Sequence, residues 1–418
     1  MNNYRRNDIE IMAPVGSRAA LRAAIQGGAD AVYCGVENLN MRSRASRNFK
    51  LADLEEIVRI ARTENLKTYL ALNTVLYDRD LDQMRTIVET AKECGVNAII
   101  ASDPAALAYI RRAGLPIHLS TQANVSNLEA LRFYTRFADV IVPARELTLD
   151  QIRDIAGAIV REQIRGPSGD LVRLELFIHG ALCMAISGKC YLSLHQANQS
   201  ANRGECLQIC RRAYIVRDKE TGGELELDHE YIMSPKDLMT IHFLDKILDA
   251  GVRVLKIEGR ARSPEYVKTV CECYSTAVSA IGDGSFTAEK VKDWQKRLAT
   301  VFNRGFWDGY YLGKRLGEWS GTYGSQATRR KCYVGKGVNY FKNQQIAEFT
   351  VEANELSAGD LVVITGPTTG VVEAVIEEVW VDEQPVQTAP KGTHVTFRLP
   401  TVIRPSDALY KLVEFGVK

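Results

Sequence analysis

From residue 9 to residue 281 the sequence alternates short apolar, β-like runs with amphipathic stretches and leaves little length for anything else. The β-like runs fall at 9–13, 31–34, 67–72, 98–101, 117–120, 140–143, 174–178 and 252–257. Helix-period patterns follow most of them, at 18–27, 51–63, 81–94, 104–112, 127–137, 149–159 and 264–281. Such alternation means parallel strands joined by crossover helices, and eight of them predict an α/β fold closed as a (β/α)8 TIM-type barrel. An open doubly wound sheet is the alternative. A G-x-G-x-x-G after the first strand would favour the open sheet, and the sequence has none there.

The chain has 418 residues, enough for one such barrel and a smaller module. After residue 282 the pattern changes. Residues 288–302 read as a helix, and 304–324 are rich in glycine and aromatics: Phe306, Trp307, Tyr310, Tyr311, Trp319 and Tyr323. From Lys331 onward alternating segments (AEFTVEA, DLVVITG, HVTFRLP) are separated by turns such as SAGD and GPTTG, the pattern of a small antiparallel β-barrel. The expected division is therefore a barrel over 1–285, a helical and aromatic connector over 286–328, and the small β-barrel over 329–418. Net charge is only +2, so any nucleic-acid surface must be a local patch. The first residues lack the apolar core of a signal peptide, and no window approaches the roughly 20 apolar residues of a membrane span. Nine cysteines, several inside strand or helix patterns, fit reduced thiols and a cytoplasmic location.

Four of those cysteines, Cys183, Cys190, Cys206 and Cys210, fall within 28 residues as C-x6-C and C-x3-C. Their neighbours are glycine, serine, asparagine and arginine, unlike the surroundings of core thiols. Four soft thiolates brought together make a site for Zn²⁺ or an iron–sulfur cluster, and spacing alone does not choose between them. Cys34, Cys94, Cys271, Cys273 and Cys332 read as buried small hydrophobes.

In a βα barrel the active face is built just after the strands. The residues there are polar: Asn73 after the third strand, Gln122 after the fifth, Arg145 after the sixth, His179 after the seventh, and Lys256, Glu258 and Arg260 along and after the eighth. Cys183 follows His179 by four residues, which puts the first cysteine pair on the same rim. Lys256, Glu258 and Arg260 alternate and should share one face. Two cations and a carboxylate turned into a barrel are costly unless used in function or paired internally. His179 is equally consistent with acid/base work and with a structural role.

The segments APVGS, GADAVYCG, HLSTQANVSN, FIHGALCMAISGKCYLS, RGECLQICR and VLKIEGRARSPEYV together resemble the family long called peptidase U32, over essentially the whole chain. The HGALCMAxSGxC block followed by RGxC-x3-CR is most similar to the branch that hydroxylates tRNA wobble uridine to 5-hydroxyuridine. The resemblance implies a [4Fe–4S] cluster on Cys183, Cys190, Cys206 and Cys210, hydroxylation without molecular oxygen, and prephenate as the oxygen source. Arg145, Arg260 and Lys256 would then be the suppliers of cationic forks for that dianionic co-substrate. A tRNA anticodon loop would meet Arg42, Arg44 and Arg47 after the second strand, and Arg203, Arg211 and Arg212 around the second cysteine pair. An ordinary solvated basic surface is the plainer explanation of those arginines. Three other activities stay open: cytidine hydroxylation in 23S rRNA, proteolysis as the family name says, and a Zn-stabilised RNA-binding protein. Against proteolysis, the sequence has neither an HExxH helix nor a G-x-S-x-G elbow.

Overall fold

The computed structural model describes residues 5–44, 49–212, 214–227, 234–313, 318–320 and 324–415. Arg47 and Tyr323 lie outside the described residues. Six βα units come first. They are β1 (Glu10–Pro14) with α1 (Arg18–Gln26), β2 (Ala31–Gly35) with α2 (Leu54–Thr63), and β3 (Lys67–Leu72) with α3 (Leu81–Cys94). Then follow β4 (Ala98–Ala101) with α4 (Pro104–Ala113), β5 (Ile117–Leu119) with α5 (Leu128–Tyr134), and β6 (Val140–Ile141) with α6 (Leu149–Arg161). After β7 (Arg173–Gly180) comes the cysteine-bearing insertion, with the short helix α7 (Leu192–Ala197), a hairpin of β8 (Tyr214–Arg217) and β9 (Glu224–Leu227), and β10 (Asp237–Met239). The last units are α8 (Leu244–Asp249), then β11 (Val254–Ile257) with α9 (Pro264–Gly282).

Strands β1 to β7 pair parallel in sequence order, and β11 pairs parallel with both β7 and β1. The ring closes, which rules out the open sheet. The crossover helices start where short polar residues cap them. Ser17, Asp103, Asn127 and Thr148 each accept a backbone N–H at the start of α1, α4, α5 and α6. Those caps sit in the loops after the strands, so helix initiation and the open mouth of the barrel use the same segments. Inside the ring, Met12, Ala31, Tyr33, Tyr69, Ala98, Ile100, Val140 and Val254 form a cluster separate from the larger shell between strands and helices.

Two short strands extend the sheet beyond the ring. β10 pairs antiparallel with the end of β7, and β12 (Phe306–Trp307), which follows α10 (Ala288–Ala299), pairs parallel with β10. The aromatic connector is thereby sewn into the barrel wall. Trp307 and Tyr311 are buried, and the Tyr311 hydroxyl donates to the Phe177 carbonyl at 2.9 Å.

From β13 (Arg329–Phe341) to the last strand, Ala408–Glu414, the chain forms an eight-stranded antiparallel sheet around its own core, where Phe349 and Phe397 stack at 5.3 Å. This module docks on α1 and α9. The Gln26 side chain donates to the Thr369 carbonyl at 3.1 Å and accepts from the Val371 N–H at 2.9 Å, and Lys331 pairs with Glu265 at 2.8 Å. No helix among the described residues is long and apolar enough to cross a membrane.

Candidate active site

The four clustered cysteines line one cavity, although 15 residues separate the two pairs in sequence. The insertion is held in place by its own polar contacts. The Cys190 N–H donates to Asn202 Oδ1 at 3.2 Å, Asn124 Nδ2 donates to the Ser187 carbonyl at 3.0 Å, and Arg211 donates to the Leu182 carbonyl at 2.9 Å and to Ser234 Oγ at 3.0 Å. Among the described residues no three of the thiols close to metal-ligand spacing. They nonetheless sense one another. Burial, and then the charges of Cys183 and Cys206, push the Cys190 thiol up despite a backbone hydrogen bond from Leu192. Burial pushes Cys210 up to about 11; Arg211 opposes the shift, and the charges of Cys183, Cys206 and Cys190 add to it. A shared cation is what relieves mutual thiolate repulsion, so the donor set suits a thiophilic metal or cluster. Of the other cysteines, Cys34, Cys271 and Cys273 are buried as expected, whereas Cys94 and Cys332 are partly exposed.

Cys183, Cys206 and Cys210 also face a second cavity, the mouth of the barrel. Its lining joins Arg42, Asn73, Gln122, Arg145, Arg211, Lys256, Glu258 and Arg260, most of the rim residues expected from the strand ends. Seven cations line it against one carboxylate, Glu258. Each cation is differently held. Lys256 Nζ donates to the fully buried Glu175 at 2.6 Å, and His118 Nδ1 lies 2.9 Å from the other oxygen of that carboxylate. Burial alone would raise the Glu175 carboxyl; the Lys256 charge, with His118, reverses this and holds it at about 2. Arg42 donates to Glu258 at 2.9 and 3.2 Å, and Glu258 is likewise held at about 2 against its burial by Arg42 and Arg262. Arg260 donates to Asn40 at 2.9 Å, and burial depresses its guanidinium. Arg145 lies 4.0 Å over the Phe177 ring, and its buried Nε has no hydrogen-bond partner among the described residues. Opposite these cations, Asn73 donates to Ser120 at 3.3 Å and to Gln122 at 3.4 Å, and Ser120 bonds Gln122 in turn.

Other expected site residues lie elsewhere. His179 does not line the mouth. It is buried among Tyr266, Tyr274 and Phe306, and burial, then Arg262, drives its imidazole down to about 3. Its immediate neighbours are aromatic rings and not the cations of the mouth. Arg203 is an internal tie and not a free RNA contact. It pairs with Asp80 at 2.6 Å and stacks 3.9 Å over Tyr77. Arg44 is exposed and bonds Gln199, and Arg212 is exposed. The strand-end pattern did not point to Glu175, His118, Asn40 or Arg304. A charged residue in mid-strand, as in LELF and PIHL, was the available signal, because a buried charge demands a partner.

The profile of peptidase family U32 matches residues 16–321. The chain belongs to peptidase family U32. Its relatives in the family carry dissimilar names. A protein of Porphyromonas gingivalis named collagenase is 58% identical over 405 residues, covering 97% of this chain and 98% of that one. The tRNA hydroxylation protein P1 of Bacillus subtilis is 30% identical over 412 residues, covering 96% and 94%. The 23S rRNA 5-hydroxycytidine C2501 synthase of Escherichia coli is 36% identical over 274 residues, covering 65% of this chain and 40% of that one.

Proposed function

We propose that this U32 protein is an RNA hydroxylase that forms 5-hydroxyuridine at the tRNA wobble position, holds a [4Fe–4S] cluster on Cys183, Cys190, Cys206 and Cys210, and takes oxygen from prephenate. The observation that carries the reading is the meeting of two cavities: three of the four clustered thiols also face a mouth lined by seven cations. When bound, the cluster supplies one-electron redox chemistry. The protein's own residues do the rest. Arg145, Lys256 and Arg260 offer charge-assisted hydrogen bonds to the two carboxylates of the co-substrate. Glu258, ionised and tied to Arg42, keeps that guanidinium beside the thiols. The amides of Asn73 and Gln122 offer donors and acceptors to the edge of a flipped-out pyrimidine. The relative named for tRNA hydroxylation, matched nearly end to end, supports the same reading.

Proteolysis has the name of the 58% identical relative behind it. Against it, Ser120 in the mouth is bonded to a glutamine and no histidine or aspartate lines that cavity, while in the cysteine cavity His195 has no hydrogen bond to any of the thiols among the described residues. The test begins with protein purified without oxygen. A brown protein with about four iron atoms and matching sulfide is expected, together with loss of 5-hydroxyuridine from tRNA in a deletion strain and failure of Cys206→Ala to restore it. Unchanged tRNA with altered 23S rRNA cytidine would move the substrate to the ribosome. Colourless, zinc-containing protein with unmodified RNA pools intact, or gelatin cleavage by the purified protein, would overturn the hydroxylase.

A further inference from the structure

Along the open edge of the cysteine cavity, the loop carrying Cys183 and Cys190 lines the cavity with apolar side chains that are also exposed to solvent. Met184 is 48% exposed, Ile186 55% and Tyr191 69%. Hydrogen bonds continue this rim onto the loop after β3: Asn202 accepts the Cys190 N–H on its side chain at 3.2 Å and the Val75 N–H on its carbonyl at 3.1 Å. Val75 and Tyr77 in that loop are exposed as well. Five of the fifteen large hydrophobic side chains exposed among the described residues thus fall on one rim. A concentration of that kind marks a contact surface.

The charges around the rim select the partner. Arg44, Arg79, Lys189 and Arg212 are exposed there, against the exposed carboxylates Asp78 and Glu205. Arg79 lies 5.7 Å over the Tyr77 ring. Tyr191 is 69% exposed, and among the described residues no ring and no cation stacks on it. An exposed aromatic ring framed by cations suits an unstacked nucleobase and its phosphates, because every base offers a π-face while duplex RNA keeps its bases inside.

We infer that Tyr191, flanked by Met184 and Ile186, is the platform on which a nucleotide neighbouring the modified base stacks, within a single-stranded RNA loop. The inference rests on the hydroxylase reading above. It is tested by fluorescence anisotropy with a labelled anticodon stem–loop oligonucleotide and a blunt RNA duplex of equal length. Wild-type protein is expected to prefer the stem–loop. Tyr191→Ala is expected to weaken stem–loop binding about tenfold and Tyr191→Trp to restore it. Phe133→Ala, on the outer helix α5, serves as the control and should bind as wild type. Iron content is measured on each variant. If Tyr191→Ala alters it, the double variant Met184→Ser with Ile186→Ser supplies the same readout. Stem–loop binding unchanged in these variants, or no preference for stem–loop over duplex, overturns the platform. Nucleoside analysis of tRNA separates the two ideas, since hydroxylation that persists in either case leaves the hydroxylase reading standing.

Discussion

Glu175 sits inside the barrel with no solvent exposure, 2.6 Å from the Lys256 ammonium and 2.9 Å from His118. Its carboxyl, held at about 2 against an ordinary value of 4.5, fixes the sign of its linkage. Its contribution to stability is complete above pH 4.5 and is lost as pH falls from there toward 2. Glu175→Gln should therefore cost about 3–5 kcal/mol at neutral pH, because it strands a buried ammonium. It should also flatten the acid limb of stability between those two pH values, leaving the share that Glu258 contributes. Urea unfolding at stepped pH measures both effects. Adding Lys256→Met to Glu175→Gln should recover most of the loss, and no recovery would show that the pair is not what holds this layer of the barrel. The pairing could not be read beforehand. Glu175 and Lys256 are 81 residues apart and meet only because β11 closes the ring against β7. Arg203 misleads for the same reason: in sequence it stands between Asn202 and Gly204, three residues before Cys206, while the Asp80 that holds it comes from the loop before α3.

The loops after β1, β2 and β11 are fitted together as a unit. A Cβ at Gly16 would lie 2.0 Å from the Arg260 carbonyl oxygen, and the Arg260 side chain reaches Asn40 in the loop after β2. Gly16→Ala must push one loop off the other, and we expect a loss of about 2 kcal/mol or more with a matching fall in Tm. Gly157, in the exposed middle of α6, has open space where a Cβ would stand. Gly157→Ala should instead gain up to about 1 kcal/mol through helix propensity. Equal responses of the two variants in thermal unfolding would contradict this account. At this scale the sequence is highly legible where a period is long enough to see. The strand at 67–72 and the helix at 81–94 stand where their patterns place them. β10 and β12 escape because neither takes a place in the alternation of strand and helix that revealed strands as short as β5 and β6. β10 and β12 are strands only by pairing onto the rim of β7. That the four clustered thiols come to one cavity was legible from their spacing, since all four belong to one insertion. The cation-lined mouth was legible from its position after the strands, except for the buried partners that hold it.

The C-terminal module and the barrel share a core. Val363 and Val371 of the module belong to the same buried cluster as the shell of the barrel, and Tyr410 and Leu412 pack against it. The seam is also polar and reciprocal: Gln26 exchanges two hydrogen bonds with the backbone around Thr369 and Val371, Lys268 donates to the Val371 carbonyl at 3.3 Å, and Lys331 pairs with Glu265. A chain ending at residue 328 would expose the apolar faces of α1 and α9 that this module covers. Uncovered apolar surface of that kind drives association. We therefore expect the truncated protein to aggregate or to unfold at lower temperature than the full chain, even though every strand of the ring and every clustered cysteine is retained. The two halves expressed as separate chains should restore soluble barrel if the seam alone is what was lost. A 1–328 protein as soluble and as heat-resistant as the full chain would mean that the ring stands without its cover. The seam would then bind two independently folded bodies, and α1 and α9 would owe their burial to contacts within the barrel.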